Sequence, residues 1–171
     1  MIFITVGTQL PFDRMINDVI KAVMKSNFKR HKISIQAVSI QEIIENPLDI
    51  ECVEKLSECE FEKLFNECDI LISHAGMGTI IKTIECKKSI IVVPRLKRYK
   101  EHRNNHQVDT CSALVGRFSN IHFANNDAEI LDSINSIANQ ETKGSSNLWQ
   151  ENRQEALMNL KNNVGLLLKD E

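Results

Sequence analysis

The sequence predicts an α/β protein in which a parallel β-sheet carries helices on both faces. Three observations predict it. The apolar runs at residues 2–6, 70–72 and 90–93 are continuous rather than alternating, the pattern of strands buried on both sides. Between such runs the apolar residues recur at helical spacing, most clearly Phe12, Met15, Ile16, Val19, Ile20 and Val23. Strand and helix patterns alternate along the chain, which favours parallel pairing through crossover helices.

The elements follow in order. Residues 2–6 form a strand that ends at Gly7, and residues 12–23 form an amphipathic helix. Residues 33–38 form the second strand. Residues 39–57 give mixed signals around Pro47, with a short strand at Ile50–Val53. A polar helix covers Glu58–Glu67. The strand at 70–72 runs into a turn at 74–79, after which Met77, Ile80, Ile81 and Ile84 share one helical face. The strand Ile90–Val93 is closed by Pro94. A basic loop precedes a helix over 103–115, and Ile121–Phe123 is a last short strand. Asn126 and Glu129 have capping-box spacing, and Ile130, Leu131, Ile134 and Ile137 mark the helix behind them. Gly144-Ser145-Ser146 is a turn, and a terminal helix is expected at 147–168.

Composition narrows the class. The 171 residues are 42% hydrophobic and 26% charged, which suits one globular domain over 1–171. A net charge of −2 provides no global field for nucleic acid. The cysteines Cys52, Cys59, Cys68, Cys86 and Cys111 include no C-x-x-C pair. Free core thiols in a reducing compartment are expected, rather than a disulfide framework or a zinc site. No cluster of Asp, Glu, His or Cys has ligand spacing, so neither a metal nor a cofactor is expected. Met1 opens straight into the first strand without a signal-peptide pattern, and no apolar run nears the roughly 20 residues that span a bilayer. The expectation is a cytoplasmic protein.

Three stretches carry chemistry, and all fall at the carboxyl ends of expected strands, where ligands bind in such sheets. The first is Gly7-Thr8-Gln9. A glycine there permits a sharp turn and close backbone approach, and Thr8 adds a hydroxyl. With one glycine this is not a G-x-G-x-x-G fingerprint, and an ordinary βα turn fits it as well. The second is Ser73-His74-Ala75-Gly76-Met77-Gly78-Thr79, which joins a buried strand to a helix. The unpaired N–H groups and the positive end of a helix suit phosphate, and His74 is placed to donate to a phosphate or sugar oxygen. A plain glycine turn with a capping threonine is the alternative. The third is the loop over 94–107. Its Arg95, Lys97, Arg98, Lys100 and Arg103 would attract a diphosphate or an anionic membrane surface, or else form a solvated loop. Asn105, His106 and Gln107 are neutral donors and acceptors, better suited to sugar hydroxyls.

Taken together, FITVGTQ at 3–9, Phe12-Asp13-Arg14, CDILISHAGMGT at 68–79, IIVVPR at 90–95 and Glu101-His102 with Asn105-His106-Gln107 resemble a known family. It is the C-terminal, nucleotide-sugar-binding domain of glycosyltransferase family 28, and the resemblance spans about residues 1–140. It is nearest to the small separate subunits of two-component transferases. These include the PssE-type exopolysaccharide subunits and the small subunit of the dolichol-linked chitobiose GlcNAc transferase.

The resemblance implies a Rossmann-like sheet, the C-terminal half of a GT-B architecture. It implies an inverting, metal-independent transfer from a UDP-sugar donor to a lipid-linked saccharide acceptor in cell-surface polysaccharide synthesis. A membrane-anchored subunit would hold the acceptor and recruit this chain to the inner face of the membrane. Gly7, Thr8 and Gln9, with His74, Ala75, Gly76, Met77, Gly78 and Thr79, would hold the diphosphate end of the donor. Asn105, His106 and Gln107 would face the sugar, with Arg95 and Glu101 nearby. The general base is expected on the partner, with His106 the candidate inside this chain.

One departure stands out. Relatives carry a glutamate on the helix after the glycine turn, where it accepts from the ribose hydroxyls. Lys82 occupies that position here and has no acceptor. Glu85, three residues on and close to the same helical face, is the alternative acceptor. Lys82 also leaves open a non-catalytic nucleotide-sugar-binding or scaffold subunit. A sugar-nucleotide epimerase or hydrolase on a related fold is the third reading.

Overall fold

The computed structural model of the protein describes residues 1–38 and 48–141. In chain order the elements are β1 (Ile2–Thr5), α1 (Asp13–Lys25), β2 (Ile33–Gln36), β3 (Ile50–Val53), α2 (Glu58–Glu67) and β4 (Ile70–His74). They continue with α3 (Met77–Glu85), β5 (Ile90–Val93), a 3₁₀ turn (Lys97–Tyr99), α4 (His106–Leu114), β6 (Ile121–Phe123) and α5 (Asp127–Glu141). The chain divides into a compact unit, Met1–Ala138, and a second, Asn139–Glu171, of which only the end of α5 is described. The turn expected at 144–146 and the helix expected at 147–168 lie outside the described residues.

The described strands form one sheet in the order β3-β2-β1-β4-β5-β6, and each neighbouring pair is parallel. Register sets Ile2 beside Ile33 and Ile70, and Ile4 beside Ile35 and Ile72. These isoleucines gather with Met15, Ile16, Val19 and Val23 of α1 and Ile130, Ile134 and Ile137 of α5 in one core. Phe3 points to the opposite face, as strand alternation requires. There its ring meets Phe61 of α2 edge-on at 5.5 Å, and Phe61 stacks with Phe65 at 6.1 Å. Helices therefore cover both faces, and the expected α/β class holds. The centre of the sheet is the driest part, with β1, β2 and β5 buried throughout, while the edge strand β3 is partly exposed.

Local chemistry sets the helix starts. Ser57 and Glu60 close a full capping box on α2, the side chain of one taking the backbone N–H of the other. At α5 the Glu129 N–H donates to Asn126 Oδ1 at 3.0 Å, and the Glu129 carboxylate takes the Asn125 N–H at 2.8 Å. That is a capping box reaching one residue further out than the sequence spacing implied.

Three expectations change. The helix expected from 103 begins only at His106. The chain before it stays irregular because the Glu101 carboxylate takes the Leu96 N–H and the Asn104 side chain takes the His106 N–H. The strand expected over 33–38 ends at Gln36, although the Ala37 N–H still reaches Val53 O at 3.1 Å. Of the five cysteines, all free, only Cys68 and Cys111 are core residues; Cys52, Cys59 and Cys86 are exposed.

Candidate functional site

A pocket of about 640 Å³ opens at the carboxyl ends of β1, β2, β4 and β5. It lies over the place where the strand order turns, between β1 and β4. At that point consecutive crossovers leave in opposite directions and their loops diverge, which leaves a crevice.

His74 ends β4 and lies between two glycines. A Cβ at Gly76 would come within 2.5 Å of its Nε2, and one at Gly7 within 2.8 Å of its Cε1. Gly7 also has φ +81°, which disfavours any side chain. Both glycines therefore make room for an imidazole, a reason the sequence did not disclose. Gly78 differs, since a Cβ there meets nothing within 4 Å. Burial, and then the charge of Arg95, push the His74 pKa down from 6.5 to about 4. The Thr5 carbonyl pulls weakly the other way without completing a hydrogen bond, and His102 adds a smaller downward push. His74 thus brings no positive charge to the pocket near neutral pH.

The two helix starts beside the pocket differ in kind. At α2 the Ser57–Glu60 box takes the N–H groups of Ser57 and Glu60 and sets a carboxylate at that end. At α3 the N-cap is Gly76, which has no side chain to cap with. The first intrahelical bond there is Ile80 N–H to Gly76 O, at 3.2 Å. The N–H groups of Met77, Gly78 and Thr79 therefore have no partner within the helix, and Gly78 and Thr79 line the pocket. That end is open to an anion.

Two arginines shape the other wall. Arg95 is only 3% exposed. Its guanidinium donates to the carbonyls of Val6 at 2.9 Å, Leu10 at 2.7 Å and Pro11 at 2.6 Å, and lies 4.5 Å from the Phe12 ring centre. Its backbone N–H donates to Gln107 Oε1 at 3.0 Å. Arg14 forks onto Glu101, with Nε to Oε1 at 2.8 Å and Nη2 to Oε2 at 3.0 Å, and also reaches Pro94 O. Glu101 in turn takes the Leu96 N–H. Together they fasten the loop after β1 to the loop after β5.

The pocket gathers Gly7, Thr8, Gln9, His74, Gly76, Gly78, Thr79, Arg95 and Gln107 from the expected residues. Ala75, Met77, Lys82, Glu85, Glu101, Asn105 and His106 do not line it. Arg95 is there, but its fork is spent on backbone carbonyls. The Glu101 carboxylate is held by Arg14, and Asn105 takes the Lys97 N–H at 3.2 Å. His106 is exposed, with Asp109 3.8 Å away. The Lys82 ammonium pairs with Glu62 and lies 4.9 Å from the Phe65 ring centre. Of the remaining basic residues, Lys97, Arg98, Lys100 and Arg103 are exposed.

Sequence reasoning missed the α2 wall of the pocket, Ser57, Glu58, Phe61 and Glu62, and also His102. Glu58 and Glu62 stand four apart with Phe61 between them, but that spacing is common on any polar helix face.

A parallel sheet with a crevice at its switch point and an open helix start beside it defines a lobe of the Rossmann-like kind with a candidate ligand site. The chain belongs to the glycosyltransferase family 28 C-terminal domain family, whose pattern it matches over residues 1–159. Its curated relatives include UDP-N-acetylglucosamine--N-acetylmuramyl-(pentapeptide) pyrophosphoryl-undecaprenol N-acetylglucosamine transferases of Prochlorococcus marinus. One, of strain MIT 9215, is 28% identical over 95 residues, covering 56% of this chain and 25% of the relative. Another, of strain MIT 9515, is 40% identical over 55 residues, covering 32% of this chain and 14% of the relative. The match thus spans a quarter or less of those proteins. Among solved structures, Acinetobacter baumannii MurG superposes with a TM-score of 0.61 at 16% identity, over 82% of this chain and 41% of that one. The glycotransferase of kitacinnamycin gives a TM-score of 0.60 at 14% identity, over 91% and 37%. The fold is that of the C-terminal half of a GT-B architecture.

Two predictions follow from the geometry. Arg95→Lys removes the planar fork that reaches four carbonyls and leaves some of them buried without a partner. Urea denaturation should show a loss of about 2–4 kcal/mol, and a loss under about 0.5 kcal/mol would contradict the clamp. His74 binds its proton less readily folded than unfolded. Its contribution to stability is therefore full above about pH 6.5 and is lost as pH falls towards about 4. Denaturation at a series of pH values should show this slope, up to about 3 kcal/mol in all, and His74→Asn should flatten it.

Proposed function

We propose that this chain is the donor-binding part of an inverting, metal-independent glycosyltransferase that moves a sugar from a UDP-sugar to a lipid-linked saccharide. The observation that carries the reading is the uncapped start of α3 opening into the pocket, beside a helix whose own start is capped by a carboxylate. The names of the Prochlorococcus relatives, which specify UDP-N-acetylglucosamine and a pyrophosphoryl-undecaprenol acceptor, support the substrate class. The resemblance to PssE-type subunits supports cell-surface polysaccharide synthesis with a membrane-associated partner that holds the acceptor and supplies the general base.

In this reading the diphosphate rests on the N–H groups of residues 77–79, with Gly7 and Thr8 across from them. The leaving UDP gains negative charge as the glycosidic bond breaks. The oriented amides stabilise that charge, since they need no reorganisation at the moment of reaction. His74, held neutral, adds no cation to the site. Gln107 presents its carboxamide NH₂ to the sugar, because its oxygen is occupied by Arg95. The carboxylate that the resemblance places at position 82 comes instead from Glu62. Glu62 lines the pocket from α2, and Lys82 holds it. Glu62 is thereby available to accept from the ribose hydroxyls, and Lys82 positions it.

Calorimetry with UDP tests the donor site. Gly78→Val, at a position with open space, should weaken UDP binding about tenfold or more while circular dichroism stays native. Gly76 is a poorer probe because a side chain there strikes His74. Glu62→Gln should narrow the preference for UDP over dUDP. Unchanged UDP affinity in Gly78→Val would sink the phosphate assignment, and an unchanged UDP/dUDP ratio in Glu62→Gln the ribose assignment. Reconstitution tests the rest. The chain by itself should transfer no sugar, and the complex with its partner should remain active in EDTA. Turnover by the chain alone would refute the two-component arrangement.

A further inference from the structure

We propose that the basic turn at residues 97–103 is a lipid-contact surface, by which this chain itself rests on an anionic bilayer with the mouth of its pocket beside the lipid. The proposal rests on the lipid-linked acceptor of the reading above. It adds a membrane contact of this chain's own, apart from any that the partner makes.

The turn concentrates positive charge in a chain whose net charge is −2. Lys97, Arg98, Lys100 and Arg103 are all exposed. The acid among them, Glu101, is turned inward. Its side chain is 11% exposed and is closed on the Arg14 fork at 2.8 and 3.0 Å. The next carboxylate along the chain is Asp109, in α4. A cluster of this kind attracts anionic headgroups, and each basic residue near such a surface adds about fivefold to affinity.

The turn also holds its shape. Tyr99 N–H donates to Leu96 O at 3.1 Å and Lys100 N–H to Lys97 O at 2.9 Å, and Lys100 ends the 3₁₀ segment at φ +59°. At the base the Leu96 N–H is held by the Glu101 carboxylate at 2.8 Å. Docking through a segment already ordered spends little conformational entropy. Tyr99 is 54% exposed, with the Arg98 guanidinium 4.8 Å and that of Arg14 5.4 Å from its ring centre. An aromatic ring with a polar tip, set among cations, suits the headgroup level of a bilayer. Leu10, also exposed, lies on the loop that Arg95 fastens to this one. Met24 and Val115, the other large exposed hydrophobics described, sit at helix ends on the opposite edge of the sheet.

Placement gives the contact a use. Arg95 and Gln107, on either side of the turn in sequence, line the pocket. Docking through the turn therefore brings the ligand edge of the sheet to the surface where a lipid-linked acceptor is held. The pairing of charge with exposed Tyr99 and Leu10 on that edge favours a bilayer over an acidic protein.

Flotation of the full chain with vesicles tests the proposal. The wild type should bind vesicles of phosphatidylcholine and phosphatidylglycerol at low salt, release them at high salt, and ignore phosphatidylcholine alone. Lys97→Gln/Arg98→Gln/Lys100→Asn should bind about a hundredfold more weakly. Asparagine is used at 100 because it tolerates the left-handed backbone there. Lys97→Arg/Lys100→Arg keeps the charge and should bind as the wild type does. Lys29→Gln/Arg30→Gln removes two charges from the opposite edge, between α1 and β2, and should leave vesicle binding unchanged. Calorimetry should show unchanged UDP affinity in all three variants. A wild type that ignores both kinds of vesicle overturns the proposal and leaves an acidic face of the partner as the reading of the charge. Equal binding to both kinds overturns it too. So does anionic-vesicle binding that survives in the triple variant, which puts the contact elsewhere in the chain. Loss of UDP affinity in the triple variant would assign the turn to the diphosphate instead. If that variant fails to fold, hydrogen exchange of the wild type on the mixed vesicles decides: protection of the amides at 97–103 supports the contact, and protection only elsewhere refutes it. A wild type that binds the mixed vesicles in this way but no UDP would overturn the nucleotide-sugar reading and leave the lipid contact standing.

Discussion

The pocket depends on a buried cation with no carboxylate against its fork. The Arg95 guanidinium is held by three backbone carbonyls of the β1–α1 loop, with the face of Phe12 beside it and the Glu101 charge close enough to act on it. Leaving such a charge without partners in a dry interior would cost several kcal/mol. The loop at residues 6–11 is therefore held against the end of β5 whenever the protein is folded. Arg14 repeats the device from the opposite direction, its fork closed on Glu101 and its remaining donors on the carbonyls of Pro94 and Asn125. Two loops that are distant in sequence become one rigid wall. The backbone N–H of Arg95 then fixes which end of the Gln107 carboxamide faces the pocket.

Against that wall, the end of β4 is arranged by exclusion of volume. The imidazole of His74 occupies space that a side chain at residue 7 or 76 would fill. Its position keeps water away and keeps it uncharged near neutral pH, with burial the main cause. In the proposed function the charge of the diphosphate thus falls to the backbone amides of α3 rather than to a side-chain cation. This also explains why a cluster of basic residues next to the pocket need not act in it. One of the five, Arg95, is committed to backbone, and the others stand in solvent.

The α2 wall shows how one substitution changes the use of its neighbours. A lysine on α3 without a partner would bring an uncompensated charge beside two aromatic rings. Instead Lys82 pairs with Glu62 and lies near Phe65 and Phe61, a cation set against aromatic faces. The pairing draws a carboxylate from a different helix to the pocket. In the proposed function the ribose contact moves with the carboxylate to α2.

The class, the succession of strands and helices along the chain and most element boundaries were legible in the sequence, because they follow from short-range rules. Unbroken apolar runs mark strands buried on both faces, apolar periodicity marks the helices, and glycine or proline marks where each strand ends. The same rules located the turn at 74–79 and the loop at 94–107, since strand ends in a parallel sheet share one edge. They could not tell which side chains on that edge face inward. Arg95 and Lys97 are two residues apart in one basic run, yet one is buried and the other exposed, because carbonyls from residues 6–11 surround only the first. Lys82 does not line the pocket, whereas Glu62, the carboxylate it pairs with from twenty residues earlier, does. His102 lines the pocket while His106 does not, because Asn104 bonds to both and holds the loop irregular between them. Residue types and spacing determined which edge of the sheet is the candidate ligand edge and what it is made of. The tertiary structure decided which atoms of it remain free, because hydrogen-bond partners distant in sequence meet only once the sheet has formed.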